Sequence, residues 1–300
     1  MHDQADELRQ LVRQGTRAGQ VRAPRWVTVF GGKGGVGTTS VSLGIAASLA
    51  LAGRRVVLVD GDFAGPDLAS MTGIDPRYTI CHVLASRRSV HEALEPGPRG
   101  MQLLLGPSRD QRSVECTATA QERLVEQLCR LGAHADVVIV DAGAAVGRAM
   151  RRFWQAADDL LLVMTPDPLA VTDTYSALKQ LYTREPDQLV HALVNLAADL
   201  ADGSAVGERF AETCRRFLAL SLASLYSVAH EPQLAVAPGL SSRTDEALSQ
   251  ELASNYFDGW VESWLAAQNQ QQTQSVPSRD GDADDFSRDR NLVERCELSL

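Results

Sequence analysis

The run Gly31-Gly-Lys-Gly-Gly-Val-Gly-Thr-Thr39 constrains this chain more than any other feature. A β-branched stretch at residues 26–30 precedes it and suits a buried strand; an apolar stretch of helical length follows at residues 40–51. A strand that turns through glycines into a helix aims backbone N–H groups and a positive helix end at one spot, which suits an anion. In the phosphate-loop pattern G-x-x-x-x-G-K-[ST], Gly32 and Gly37 supply the glycines and Thr39 the hydroxyl that ligates Mg²⁺. The lysine position holds Thr38. A neutral hydroxyl therefore stands where a cation reaches the β- and γ-phosphates. A hydrogen bond to a charged group contributes about 1.5–3 kcal/mol, and losing one transition-state donor costs about 10²–10³ in rate. Binding is expected to weaken, and hydrolysis to be slow or absent.

Further apolar runs at residues 55–60, 101–105, 136–141, 160–164 and 189–194, with a weaker one at 222–228, read as strands. Uninterrupted apolar strands are covered on both faces, and the segments between them can hold crossover helices. The expected fold is α/β, a doubly wound and mostly parallel sheet. Ahead of it, residues 1–14 read as a short amphipathic helix and residues 15–25 as a polar, basic linker. The globular domain is expected over residues 26–267, followed by a disordered acidic tail at 268–300. With 44% apolar residues the chain can build a sizeable core. Its net charge of −9 argues against a nucleic-acid-tracking surface, and no nucleic-acid partner is expected. The five scattered cysteines form no C-x-x-C pair and read as reduced thiols, consistent with a cytoplasmic chain.

Lys33 lies early in the loop, where an ordinary phosphate loop needs no lysine. With Gly34, Gly35, Val36, Gly37 and Thr39 it resembles the deviant Walker A of the MinD/ParA family of dimerising ATPases. That resemblance implies a P-loop NTPase fold, ATP and Mg²⁺ as cofactors, and an ATP-dependent homodimer in which Lys33 reaches the partner's nucleotide. The motif Asp60-Gly-Asp62 resembles the family's switch I, with Asp62 orienting the attacking water. Residues 139–143 resemble Walker B with switch II, so that Asp141 would hold Mg²⁺ through water and Gly143 would lie near the γ-phosphate. Asn195 matches the position whose amide pairs with adenine. By this resemblance the catalytic groups are Lys33 and Asp62, the nucleotide is held by residues 32–39 and Asn195, and the metal by Thr39 and Asp141.

The opening Asp3-Gln-Ala-Asp-Glu-Leu-Arg9 fits D-Q-A-x-x-L-R, which resembles the activating segment of the flagellar-number regulators (FlhG, YlxH, FleN). In that branch the segment docks on a GTPase of the signal-recognition-particle type, FlhF, and stimulates it. Asp3, Gln4, Ala5, Leu8 and Arg9 would make the contact, with Leu8 anchoring in a groove and Gln4 or Arg9 supplying the polar contact. The branch also uses a C-terminal amphipathic helix on the membrane. Here residues 256–265 are amphipathic but nearly free of basic residues, and the tail is acidic. Tyr256, Trp260 and Trp264 therefore read as part of a last core helix, and peripheral attachment at the inner membrane face stays open. The alternative is an active ATPase of the same fold that positions a pilus, secretion or division cargo.

Overall fold

The computed structural model describes residues 23–107, 117–182, 188–230 and 257–274. Its strands are β1 (Arg25–Gly31), β2 (Val56–Asp60), β3 (Glu95–Pro96), β4 (Gln102–Leu104), β5 (Val137–Asp141), β6 (Asp159–Met164), β7 (Leu189–Ala197) and β8 (Ser224–Ala229). They form one sheet in the order β3-β4-β2-β5-β1-β6-β7-β8. Every pairing is parallel except β3 with β4. This is the doubly wound sheet expected. The expected strands fall within two residues of their observed bounds, apart from β7, which runs on to Ala197. Strand β3 was not expected: two residues, one of them a proline, carry no periodicity, and an edge is where a sheet tolerates proline.

The helices are α1 (Thr38–Leu51), α2 (Leu68–Thr72), α3 (Ile80–Leu84), α4 (Val90–Ala93), α5 (Ala118–Cys129), α6 (Arg148–Ala156), α7 (Pro168–Leu181), α8 (Leu200–Leu218) and α9 (Asp258–Gln274). Alternate residues of each central strand enter opposite cores. Trp26, Phe30, Val138, Val140, Leu160 and Leu162 pack under α5, α6, α7 and α8. Val27, Val29, Val137, Ile139, Leu161 and Val163 pack under α1 and α9. This two-sided burial is why the strand runs are apolar without alternation. Helix α1 is buried nearly all round because α9 covers its outer side. A Cβ on Gly44 would lie 2.3 Å from the Phe257 ring.

Two expected boundaries need correction. Arg25, assigned to the linker, is the first residue of β1, and its Nε donates to Asp159 Oδ2 at 2.7 Å. Residues 268–274, expected as the start of the tail, instead continue α9, which runs to Gln274. Glutamine is a good helix former, and a helix already nucleated by packed Trp260 and Trp264 propagates into such residues at little cost. The activating segment with Asp3, Gln4, Ala5, Leu8 and Arg9, the loop 231–239, Tyr256 and the tail beyond 274 lie outside the described residues. Among the described residues, no helix is long and apolar enough to cross a membrane.

Candidate functional site

The carboxyl ends of β1, β2, β5, β6 and β7 share one edge of the sheet, on both sides of the central β1, which is where open α/β sheets hold ligands. The glycine loop leaves β1 there and enters α1 through Gly37, whose φ of 87° demands glycine. The N-terminus of α1 has no side-chain cap and no acidic residue in its first turn, so its N–H groups and dipole face the loop uncompensated. Gly34 and Gly35 are exposed, and a Cβ on either would meet nothing within 4 Å. Gly32 is the opposite case: a Cβ there would fall 2.1 Å from Thr174 N. The cradle is thus open above and closed below.

Thr38 begins α1 and is 7% exposed. Its hydroxyl is tucked toward β1, since a Cβ on Gly31 would lie 2.5 Å from Thr38 Oγ1. Lys33, one of only two lysines in the chain, projects from the loop and forms an ion pair with Asp167 at 2.8 Å. Both partners are about two-fifths exposed, and such surface pairs are easily exchanged. Sequence reasoning missed Asp167 as the partner of Lys33, because the two meet only through the β1–β6 pairing.

Three acidic residues gather at the ends of β2 and β5. Asp60 and Asp141 face each other in register at the ends of β2 and β5. Burial, reinforced by the charge of Asp141, holds the Asp60 carboxyl well above the usual carboxylate range, and its buried Oδ1 has no hydrogen-bond partner among the described residues. Burial likewise pushes Asp141 up to about 6, against hydrogen bonds from the Thr39 hydroxyl and Gly143 N–H. Asp62 Oδ1 accepts from the N–H groups of Ala64 and Gly65, each at 3.0 Å. Its Oδ2 fills the space where a Cβ on Gly143 would sit, 2.1 Å away. Gly143, with φ of 64°, must therefore be glycine for both conformation and contact.

The sequence singled out Asp62 and passed over Asp60, the buried member whose carboxyl is the more strongly desolvated. Among the described residues, no three carboxylate, imidazole or thiolate groups form a metal cage. Mg²⁺ needs none, since it keeps waters and uses one or two protein oxygens beside phosphates. The Thr39–Asp141 pair at an uncapped helix N-terminus fits that requirement. Asn195 does not face outward as a free base-binding group. Its Nδ2 donates to Val36 O at 2.9 Å and lies 2.5 Å from the position of a Cβ on Gly37. It braces the loop from below, and a base contact through this nitrogen would require that bond to be given up.

A pH dependence follows from Asp141. Its folded value of about 6 exceeds the ordinary 3.8, so its ionised form costs stability above pH 6. That cost fades as the pH falls toward 4. The nucleotide-free protein should gain stability from this group between pH 7 and pH 5. Mg²⁺-dependent nucleotide affinity should fall over the same interval, because proton and metal compete for the carboxylate. Thermal melting and nucleotide titration with and without Mg²⁺ across that range will show opposite trends if the assignment holds.

Residues 22–185 match the family model described as ParA, NUBPL iron-transfer P-loop NTPase. The antiactivator FleN of Pseudomonas aeruginosa is 28% identical over 82% of this chain and 89% of its own length. The flagellum site-determining protein YlxH of Helicobacter pylori is 29% identical over 65% of this chain and 66% of its own. Among solved structures, the septum site-determining protein MinD of Pyrococcus horikoshii, complexed with Mg-ADP, superposes with a TM-score of 0.65. That match is at 17% identity and covers 86% of this chain and all of the other.

Proposed function

The chain belongs to the ParA/MinD family of P-loop NTPases, and from that premise we propose that it is a nucleotide-dependent regulator of flagellar number or placement. In this reading it binds ATP with Mg²⁺, hydrolyses it weakly or not at all, and stimulates an FlhF-like GTPase through residues 3–9. The observation that carries the regulatory reading is likeness to FleN along most of both chains, together with a D-Q-A-x-x-L-R segment ahead of the domain.

The backbone N–H groups of residues 34–39 would hold the phosphates, and Thr39 with Asp141 the metal. When bound, Mg-ATP supplies a γ-phosphate whose presence or loss distinguishes two states. Asp62, already against Gly143, would order a water and couple the loops after β2 and β5. Val146, Leu169, Leu196 and Leu200 are large exposed apolar side chains at the same edge of the sheet. They favour a second copy of the chain as the partner there. Lys33 would leave Asp167 to reach that copy, and the exposed pair offers little resistance.

A peptide of residues 1–20 is expected to raise the GTPase rate of an FlhF-like partner, and Gln4→Ala or Leu8→Ala in that peptide to remove the effect. Stimulation that survives both changes, or none from the unaltered peptide, sinks the partner assignment. Calorimetry of the full chain with ATP and Mg²⁺ tests the nucleotide separately, and no heat at millimolar nucleotide would leave a scaffold without a switch.

A further inference from the structure

Strand β7 changes register at the edge of the sheet where the phosphate loop lies. It pairs with β6 as far as Val194 opposite Met164, and with β8 at Val194 opposite Ser227. The next partners with β8 are Ala197 and Ala229, so β7 advances three residues while β8 advances two. The extra residue makes a bulge, a device that re-aims side chains beside functional sites. Leu196 lies in it with φ of 57°, a left-handed backbone that a bulky side chain adopts only under strain. Leu196 is 42% exposed, so the burial of its own side chain does not explain that strain. Its neighbour Asn195 is 6% exposed. Strand alternation carries Asn195 to the same face as Leu193, the face that α1 covers.

From there the Asn195 Nδ2 donates to Val36 O at 2.9 Å. A carbonyl oxygen only accepts, which fixes the amide with its nitrogen toward the loop. The same nitrogen lies 2.5 Å from the position of a Cβ on Gly37, so Asn195 occupies the space that the absent side chain leaves. Val36 and Gly37 are the last loop residues before α1, and the left-handed φ of Gly37 turns the loop into the helix. A second side chain grips the other end of the loop. Thr174 Oγ1 of α7 accepts from Gly32 N at 3.3 Å and donates to Ala170 O at 2.8 Å. The loop is thus held at its entry from α7 and at its exit from β7. With Thr38 at the lysine position, phosphate contacts fall to the backbone N–H groups, whose directions depend on these two holds.

We propose that Asn195 is a positioning residue that sets the phosphate loop in its binding shape, acting on the polyphosphate end of the ligand and not on the base. The proposal rests on nucleotide binding at this loop as set out above. A polyphosphate needs several loop N–H groups to converge at once. A loop that holds that shape only about a tenth of the time binds about 10-fold more weakly than one that always holds it. The bond from Asn195 to Val36 O removes this loss before any ligand arrives. The strained bulge at Leu196 ends the regular pairing of β7 at the point where the Asn195 amide meets the loop. The nearly complete burial of Asn195 fits this role, because the side chain faces the loop and offers little surface to a base.

Full-length wild type and Asn195→Ala are titrated by calorimetry, in Mg²⁺, with ATP and with tripolyphosphate, which carries no base. Asn195→Ala is expected to weaken both ligands by about 10-fold. Amide hydrogen exchange at residues 34–38 of the nucleotide-free variant should quicken while exchange in β5 stays as in the wild type, which a general loss of stability would not produce. A base-reading asparagine gives another pattern, with ATP weakened and tripolyphosphate unchanged, and that result overturns the proposal. Unchanged affinity for both overturns it too, as does wild-type protein that binds ATP but not tripolyphosphate. A further measurement needs no variant to fold. In 7-deaza-ATP a carbon replaces the ring nitrogen that an amide N–H would reach, and the wild type should bind it as tightly as ATP. A loss of about 10-fold or more there means that the amide reads the base, and the proposal is wrong. Wild-type protein that binds neither ATP nor tripolyphosphate fails the nucleotide reading itself, and the proposal falls with it.

Discussion

Thr38→Lys is expected to raise single-turnover ATP hydrolysis by about 10²–10³ and to tighten ATP binding by about 10-fold or more. The change restores a cation at the one loop position where the phosphate-loop pattern requires it. Thr38 begins α1 with its hydroxyl turned under the loop, so nothing in its own side chain reaches outward. A lysine there has a four-carbon stem long enough to leave the cleft beside Gly31 and carry its ammonium past the loop. Only that charge is new. Thr39, Asp62 and Asp141 are already in place, so Asp62→Ala in the Thr38→Lys background should return hydrolysis to the starting rate. The competing account gives Lys33 the missing role. It requires instead that Thr38→Lys change little and that Lys33→Ala abolish whatever hydrolysis the natural chain has. A rate in Thr38→Lys indistinguishable from that of the natural protein would mean that the absent ammonium is not what limits hydrolysis.

The parts of the site that local pattern could carry were legible in the sequence. Gly37 and Thr39 lie on one continuous strand–loop–helix segment that matches the phosphate-loop spacing, whereas Asp62 and Asp141, near the ends of apolar runs, were singled out by resemblance to the family's motifs. What escaped were contacts made through the sheet. The partner of Lys33 is Asp167 across β6, and Asn195 reaches under the loop to Val36 from β7. Neither pairing has a periodicity to betray it. Asp60 was overlooked for another reason: its importance lies in desolvation, which the letters Asp-Gly-Asp do not display. The end of α9 was misread because glutamine repeats resemble a solvated tail. In the folded chain Gln268 lines a cavity against the sheet, and composition does not report which face of a helix is covered.

Gly32→Ala and Gly34→Ala, two single-methyl changes two residues apart, are expected to fail in different ways. At Gly32 the added carbon would lie 2.1 Å from Thr174 N, 2.2 Å from Thr174 Cα and 2.5 Å from the Asp173 carbonyl carbon. All three are backbone atoms of α7, and no rotamer change relieves such a clash. Helix α7 is held in turn by buried Ala170, Thr174, Ala177, Leu178 and Leu181, so it cannot retreat freely. Overpacking of this kind costs about 1–3 kcal/mol, occasionally more. Gly32→Ala should therefore lower the melting temperature of the nucleotide-free protein and loosen the hydrogen bond from Gly32 N to Thr174 Oγ1, now 3.3 Å. At Gly34 the same carbon meets nothing within 4 Å, and the backbone there is outside the left-handed region. Gly34→Ala should leave melting unchanged within about 0.5 kcal/mol, the range of an exposed substitution away from special features. Yet if residues 34–39 wrap a triphosphate, this methyl enters the space the phosphates need, and ATP affinity should drop by about 10-fold or more, the 1.4 kcal/mol that one displaced backbone contact represents. The pair separates a loop that shapes the fold from a loop that binds. Equal ATP affinity in Gly34→Ala and the natural chain would mean that the open side of the cradle faces only solvent.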